Sequence, residues 1–388
     1  MTETRRVIKL YHAFSFFFSL LFWAPIFYEY QKQMGLSDSE IFGIQSLYYL
    51  AFCFLELPTG FLADRYGHRL SLRWAAIFLT VANLVPVFYV GFYGFLTHWL
   101  LVALARSLMS GSASAYLYDY LERSGETEWY RATEGRARAL SLVGRVAAWS
   151  AVGYLMEWHL TLPYWLTTFA AAIALIVSTR FPKGETLVED PSFGKCFAVL
   201  RSTPRLWLMI GTGLAIFVLA RLVQVNLFQP ILSAKGYTVG GFGVVMALTT
   251  LLEAAGSNWA EPVVERFGEL KSVFWVGLAM GVSTALLPGV EWVGAFVLLS
   301  VFALACGVAY PAQRKLLNDA IPEPSLRATL LSVESLLDRL VCSGMAAGVA
   351  VLMEWGRMDL ALYLGGALSL LLTAGLLYAF ARLRRLEG

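Results

Sequence analysis

Apolar residues run along this chain in long blocks, and polar residues gather in the joins between them. A helix needs roughly 20 apolar residues to cross a hydrocarbon core. Twelve blocks are of about that size: 8–30, 41–62, 70–90, 95–120, 137–156, 161–178, 206–229, 239–264, 273–288, 293–311, 328–353 and 360–381. Pro, Gly and charged residues punctuate most joins. The pattern predicts an all-α integral membrane protein with 12 transmembrane helices. The first block follows a short basic N-terminus and runs to Tyr30 without a small-residue cleavage site, so it reads as a retained helix and not a removed signal peptide.

Composition agrees. The chain has 388 residues, of which 58% are hydrophobic and 15% charged, against about 25% charged in soluble chains. Its mean hydropathy is +0.63. A net charge of +3 gives no reason to expect nucleic acid as a partner. Aromatic residues suit interfacial belts and a lined cavity. The basic residues fix the expected orientation. With both termini cytoplasmic, 23 of the 30 Lys and Arg fall on the cytoplasmic side and 3 on the other, a strong positive-inside asymmetry. The expected location is the cytoplasmic (inner or plasma) membrane, in contact with membrane lipids. Cys53, Cys196, Cys306 and Cys342 show neither metal spacing nor a disulfide framework, and no metal or cofactor is expected.

The one long connection is polar and carries Pro182, Gly184, Pro191 and Pro204. It predicts a six-helix bundle over 1–181, a cytoplasmic linker over 182–204 and a second six-helix bundle over 205–388. The halves echo each other. Asp64-Arg65-Tyr66-Gly67 answers Glu265-Arg266-Phe267-Gly268, and Leu155-Met156-Glu157-Trp158 answers Leu352-Met353-Glu354-Trp355. Such duplication, with a site at the midplane between the repeats, is the common plan of secondary transporters.

The segment Gly60-Phe61-Leu62-Ala63-Asp64-Arg65-Tyr66-Gly67-His68-Arg69, between the second and third blocks, resembles the signature loop of the major facilitator superfamily. His68 departs from it, standing where a basic residue is usual. The resemblance implies two six-helix bundles around a central cavity, rocking between inward- and outward-open states. It makes Gly60, Asp64, Arg65, Gly67 and Arg69 a gating motif. Glycines there permit a tight turn, and Asp64 is expected to meet the N-terminus of the eleventh helix near Arg327, where a carboxylate is favoured.

Ionisable residues deep in the spans cost roughly 2.5–3.5 kcal/mol each on insertion scales, so those present are expected to face water, substrate or one another. They are Glu56, Arg106, Arg145, Arg221, Glu253, Glu334, Asp338 and Arg339, and Gln224 shares a face with Arg221. The third, sixth, ninth and twelfth blocks carry none. By the resemblance those four are peripheral and the others line the cavity. Thr249, Glu253, Gly256, Ser257 and Ala260 form a small, polar stripe at helical spacing; a helix-packing surface is the competing reading. Arg106, ahead of a run of small residues, partly resembles a second motif of the family, whose arginine is associated with proton coupling in drug exporters. The Gly-Pro antiporter motif of the fifth helix is absent. His12, His68, His98 and His159 are expected near helix ends, in interfacial or loop roles.

The expectation is a monomeric secondary transporter for a small molecule, exporting it against protons. Glu253 and Asp338 are the candidates for proton exchange, and Arg106, Arg145, Arg221 and Arg339 are candidates to hold an anionic or zwitterionic substrate. The alternatives are an importer or facilitator without proton coupling, a lipid transporter, and a polytopic membrane enzyme or sensor.

Overall fold

The computed structural model describes residues 3–182, 203–321 and 327–387. Every regular element among them is helical. The elements are α1 (Glu3–Ser19), α2 (Phe27–Gln33), α3 (Asp38–Tyr66), α4 (His68–Phe88), α5 (Phe92–Met109), α6 (Ser112–Arg123), α7 (Trp129–Trp158) and α8 (Leu162–Thr179). They continue with α9 (Pro204–Arg221), α10 (Phe228–Ala234), α11 (Val239–Asn258), α12 (Ala260–Phe267), α13 (Glu269–Leu286), α14 (Trp292–Asp319), α15 (Arg327–Glu354) and α16 (Met358–Glu387). Most of the expected linker lies outside the described residues.

Among the described residues, eleven segments are long and apolar enough to cross a membrane. The remaining predicted span, 8–30, is broken into α1 and α2, and Pro25 explains the break. A proline has no N–H to give the carbonyl four residues back, here that of Leu21. That carbonyl takes the Ala24 amide at 3.2 Å and Trp149 Nε1 at 2.9 Å. The amide of Phe22 donates to Thr167 Oγ1 at 3.0 Å, and Ser141 Oγ donates to the carbonyl of Ser15 at 3.1 Å. Side chains of α7 and α8 thus satisfy backbone that lipid could not. Trp149→Phe keeps an aromatic ring but removes the donor. The lost hydrogen bond is expected to cost about 0.5–1.5 kcal/mol, read as a lowered unfolding temperature of the purified protein.

Other predicted spans are interrupted or extended as well, among them 239–264, which breaks at Trp259 between α11 and α12. The block 95–120 breaks at Gly111, whose φ is 75°. The block 206–229 loosens into a π-helical turn, Leu222–Asn226, directly after Arg221. There Leu227 N donates to Leu222 O at 2.8 Å, and Asn226 Nδ2 takes the Arg221 carbonyl at 2.9 Å. At the block 293–311, α14 continues past Pro311 to Asp319, so Arg314 and Lys315 stand on a helix and not in a loop.

The helices sort into two compact units. The first holds α1–α8 with Val239–Ala247 of α11, and the second holds α9, α10, the rest of α11 and α12–α16. In the first unit α4 packs along both α5 and α8, and α1 lies against α7 and α8. Its core is aromatic: the ring of Trp23 lies 5.1 Å from that of Trp99 and 5.2 Å from that of His98. His98 is therefore a core residue, fully buried with Nδ1 2.7 Å from the Ala82 carbonyl, and the interfacial role expected for it is corrected. In the second unit α13 packs on α14 and α16. A Cβ on Gly277 would touch Thr373, and one on Gly281 would touch Leu370. These small residues let α13 and α16, which carry no charge in their apolar middles, approach closely.

Candidate functional site

The second unit gathers its mid-span charges around α15. Arg221, at the end of α9, donates from Nη2 to Asp338 Oδ2 at 2.6 Å. Arg339 Nη1 stands 4.0 Å from the same oxygen. Cys342 Sγ, one turn along α15, donates to Asp338 Oδ1 at 3.9 Å. One turn the other way is Glu334, whose side chain is 3% exposed. Its partner is Arg314 of α14, at 2.9 Å. Arg314 was missed by hydropathy because it lies beyond the apolar part of its helix. Its guanidinium also stacks 5.5 Å from the Tyr310 ring centroid. Three acids (Glu253, Glu334, Asp338) and three arginines (Arg221, Arg314, Arg339) thus balance within this unit.

Glu253 sits differently. It is half-buried on α11, and Gln224 Nε2, inside the π-turn, donates to its Oε2 at 3.2 Å. The small residues around Glu253 do two jobs. Thr249 and Gly256 are buried, while Ser257 is exposed. A Cβ on Gly256 would fall on the Leu304 carbonyl, and one on Gly307 would fall on the carbonyl of Glu253 itself. Part of the stripe is therefore the packing surface against α14, and that packing fixes the turn that carries Glu253. Gly307→Ala is expected to cost about 1–3 kcal/mol by overpacking and to weaken transport more than Gly289→Ala, where a Cβ would meet open space. Unfolding temperature and transport rate of both variants check this.

The first unit holds Glu56, Arg106 and Arg145. Arg106 is exposed, with Nη1 3.4 Å from the Tyr48 hydroxyl. Arg145 lies over Trp149, 5.4 Å from the ring centroid. Glu56 is half-buried on α3. The structure therefore brings Arg221, Gln224, Glu253, Glu334, Asp338 and Arg339 into one unit and Glu56, Arg106 and Arg145 into the other.

In the signature segment α3 and α4 are joined by Gly67 alone, at φ 93°, a conformation that favours glycine. Gly60 is helical. Arg69 Nη2 donates to the Thr179 carbonyl at 3.2 Å, so it caps the C-terminus of α8, where positive charge is favoured. Arg65 lies over the Tyr66 ring, and His68 Nε2 is 3.7 Å from Asp119. The side chains of Asp64 and Arg327 lie outside the described residues, and with them the expected Asp64 contact. Among the described residues, no group of three His, Cys, Asp or Glu is placed to hold a metal ion.

A family model described as Major Facilitator Superfamily matches residues 10–333. Among solved structures, the nucleoside transporter NupG superposes with a TM-score of 0.78 at 13% identity, covering 98% of this chain and 99% of that one. An auto-inhibited POT family peptide transporter gives 0.74 at 15%, covering 96% of each chain. A D-xylose–proton symporter gives 0.71 at 13%, again covering 96% of each. At these identities the likeness is one of fold.

Proposed function

Because this chain belongs to the major facilitator superfamily, and is thus a multi-pass membrane transporter and not an enzyme, we propose that it couples the passage of a small molecule to the movement of protons. The observation that carries this reading is a half-buried carboxylate, Glu253, on a helix long and apolar enough to cross a membrane, in the same unit as a close arginine–aspartate pair. Asp338 accepts from Arg221 at 2.6 Å, a charge-assisted bond that holds the arginine in place. Gln224 donates to Glu253 at 3.2 Å. An intramembrane carboxylate that water can reach is a natural proton carrier. Glu253 is accordingly assigned to proton exchange, and Asp338 to holding Arg221. Arg221 and Arg339 then stand ready for a substrate that competes with Asp338.

The proposal extends to organisation. Both termini are cytoplasmic, in the cytoplasmic membrane, and the halves 1–181 and 205–388 are joined by the linker 182–204. The excess of Lys and Arg on one side supports that orientation. Export was the direction expected from Arg106, whereas the solved D-xylose transporter is named a symporter. Proteoliposomes loaded with a pH-sensitive dye test the reading. Substrate addition should move protons in step with substrate. Alkalinisation of the side that gains substrate marks exchange, and acidification marks symport. Substrate flux with a silent dye would remove proton coupling.

A further inference from the structure

The first unit carries a second cluster, away from the Glu253 and Asp338 groups. Arg106 lies in the last turn of α5, within the candidate span Phe92–Arg123. A guanidinium inside a span is costly unless water or a counter-charge meets it. Among the described residues Arg106 makes no ion pair, and its polar contact is the neutral Tyr48 hydroxyl at 3.4 Å. Along the same α3–α5 interface are polar atoms with nothing to bond. Gln45 is 1% exposed, and both its Nε2 and its Oε1 lack a partner; Trp99 is 4% exposed, and its Nε1 lacks one. Buried polar groups are nearly always satisfied by protein, water or ligand, so three such atoms together call for an occupant.

The four side chains share one helix interface. Gln45 and Tyr48 are one turn apart on α3, while Trp99 and Arg106, seven residues apart, share a face of α5. The two helices pack along each other. Tyr48 joins the two pairs, its ring centroid 5.0 Å from that of Trp99 and its hydroxyl on Arg106. Arg106 is a single cation that makes no ion pair among the described residues, which suits a monoanion better than a phosphate dianion.

We propose that Arg106, Tyr48, Gln45 and Trp99 form a subsite for the carboxylate of a small hydrophilic monocarboxylate, which rests on the reading of the chain as a substrate-binding transporter. The guanidinium fork matches a carboxylate in shape and charge. Gln45 offers a donor and an acceptor, and Trp99 a donor, to hydroxyl or amide groups near that carboxylate. A carboxylate bound there supplies the missing anion and satisfies the orphaned atoms at once.

Matched acid and amide pairs test it on the purified full-length protein: gluconate with gluconamide, and N-acetylglycine with N-acetylglycinamide. At saturation an acid is expected to raise the unfolding temperature by roughly 3 °C or more, and its amide by no measurable amount. Arg106→Gln should abolish the shift, Arg106→Lys should keep part of it, and Gln45→Ala should raise the half-saturating concentration about tenfold. Amides that stabilise as well as acids overturn the proposal. So does an Arg106→Gln protein that still responds, or a wild-type protein that responds to neither acid. Dye-loaded proteoliposomes separate this from the coupling. Acid uptake above the Arg106→Gln level without proton movement leaves the subsite standing and removes the coupling. Proton movement driven by the amides does the reverse.

Discussion

Glu253→Gln is expected to abolish transport driven by a pH gradient while leaving substrate exchange largely intact. The substitution keeps shape and hydrogen-bonding capacity, so Gln224, now 3.2 Å from the carboxylate, still has a carbonyl oxygen to bond. What goes is the site that gains and loses a proton. Exchange of substrate for substrate needs no net proton transfer and is expected to persist, whereas net movement against a gradient requires the titration. Proteoliposomes under an imposed pH gradient read the first rate, and counterflow of labelled substrate reads the second. Equal loss of both rates would make Glu253 structural, and wild-type values of both would take it out of the mechanism.

The second large effect concerns the Arg221–Asp338 pair. Arg221→Met alone leaves Asp338, whose side chain is 8% exposed, without its close guanidinium, and is expected to cost about 3–5 kcal/mol. Arg221→Met with Asp338→Leu removes both charges and should recover most of that loss, because the unmatched buried charge is what destabilises. Unfolding of the wild type, both single variants and the double variant forms a cycle whose interaction energy measures the pair. A double variant less stable than either single variant would mean that neighbouring groups, Arg339 and Cys342 first, depend on the pair for their own positions. Transport should fail in both, since the arginine proposed to meet substrate is gone.

How much of this was legible follows from what hydropathy measures. Hydropathy detects lipid, so it found the apolar stretches and the charges inside them. It does not detect where a helix stops. α7 starts at Trp129 and α14 runs to Asp319, each beyond its apolar block. This is why Arg314 was assigned to a loop when it is the partner of buried Glu334. The break in the first span was readable in principle from Pro25. The π-turn was not, because nothing in Leu222–Asn226 forces an extra residue into a turn until Asn226 caps the Arg221 carbonyl. Helical spacing put Glu334 and Asp338 on one face of α15. It gave no hint that Arg221, 117 residues away, is the arginine that reaches Asp338. That choice depends on how α9 and α15 pack, which is a tertiary property. Likewise the stripe on α11 showed small residues without showing that Gly256 is buried against α14 while Ser257 stays exposed.

The broken first span also has a consequence during synthesis. Its amide at Phe22 is satisfied by a threonine 145 residues later, while its carbonyl at Leu21, which takes the Ala24 amide locally, gains a tryptophan 128 residues later. At ordinary elongation rates the ribosome needs roughly ten seconds to make that stretch. Throughout that interval the nascent chain holds open backbone that a bilayer interior cannot solvate. The first span therefore cannot be released into lipid as a finished helix. It has to wait in a wet site of the insertion machinery, or lie at the membrane surface, until α7 and α8 arrive to close the gap. Insertion of this half is thus a concerted event, timed by its last two helices.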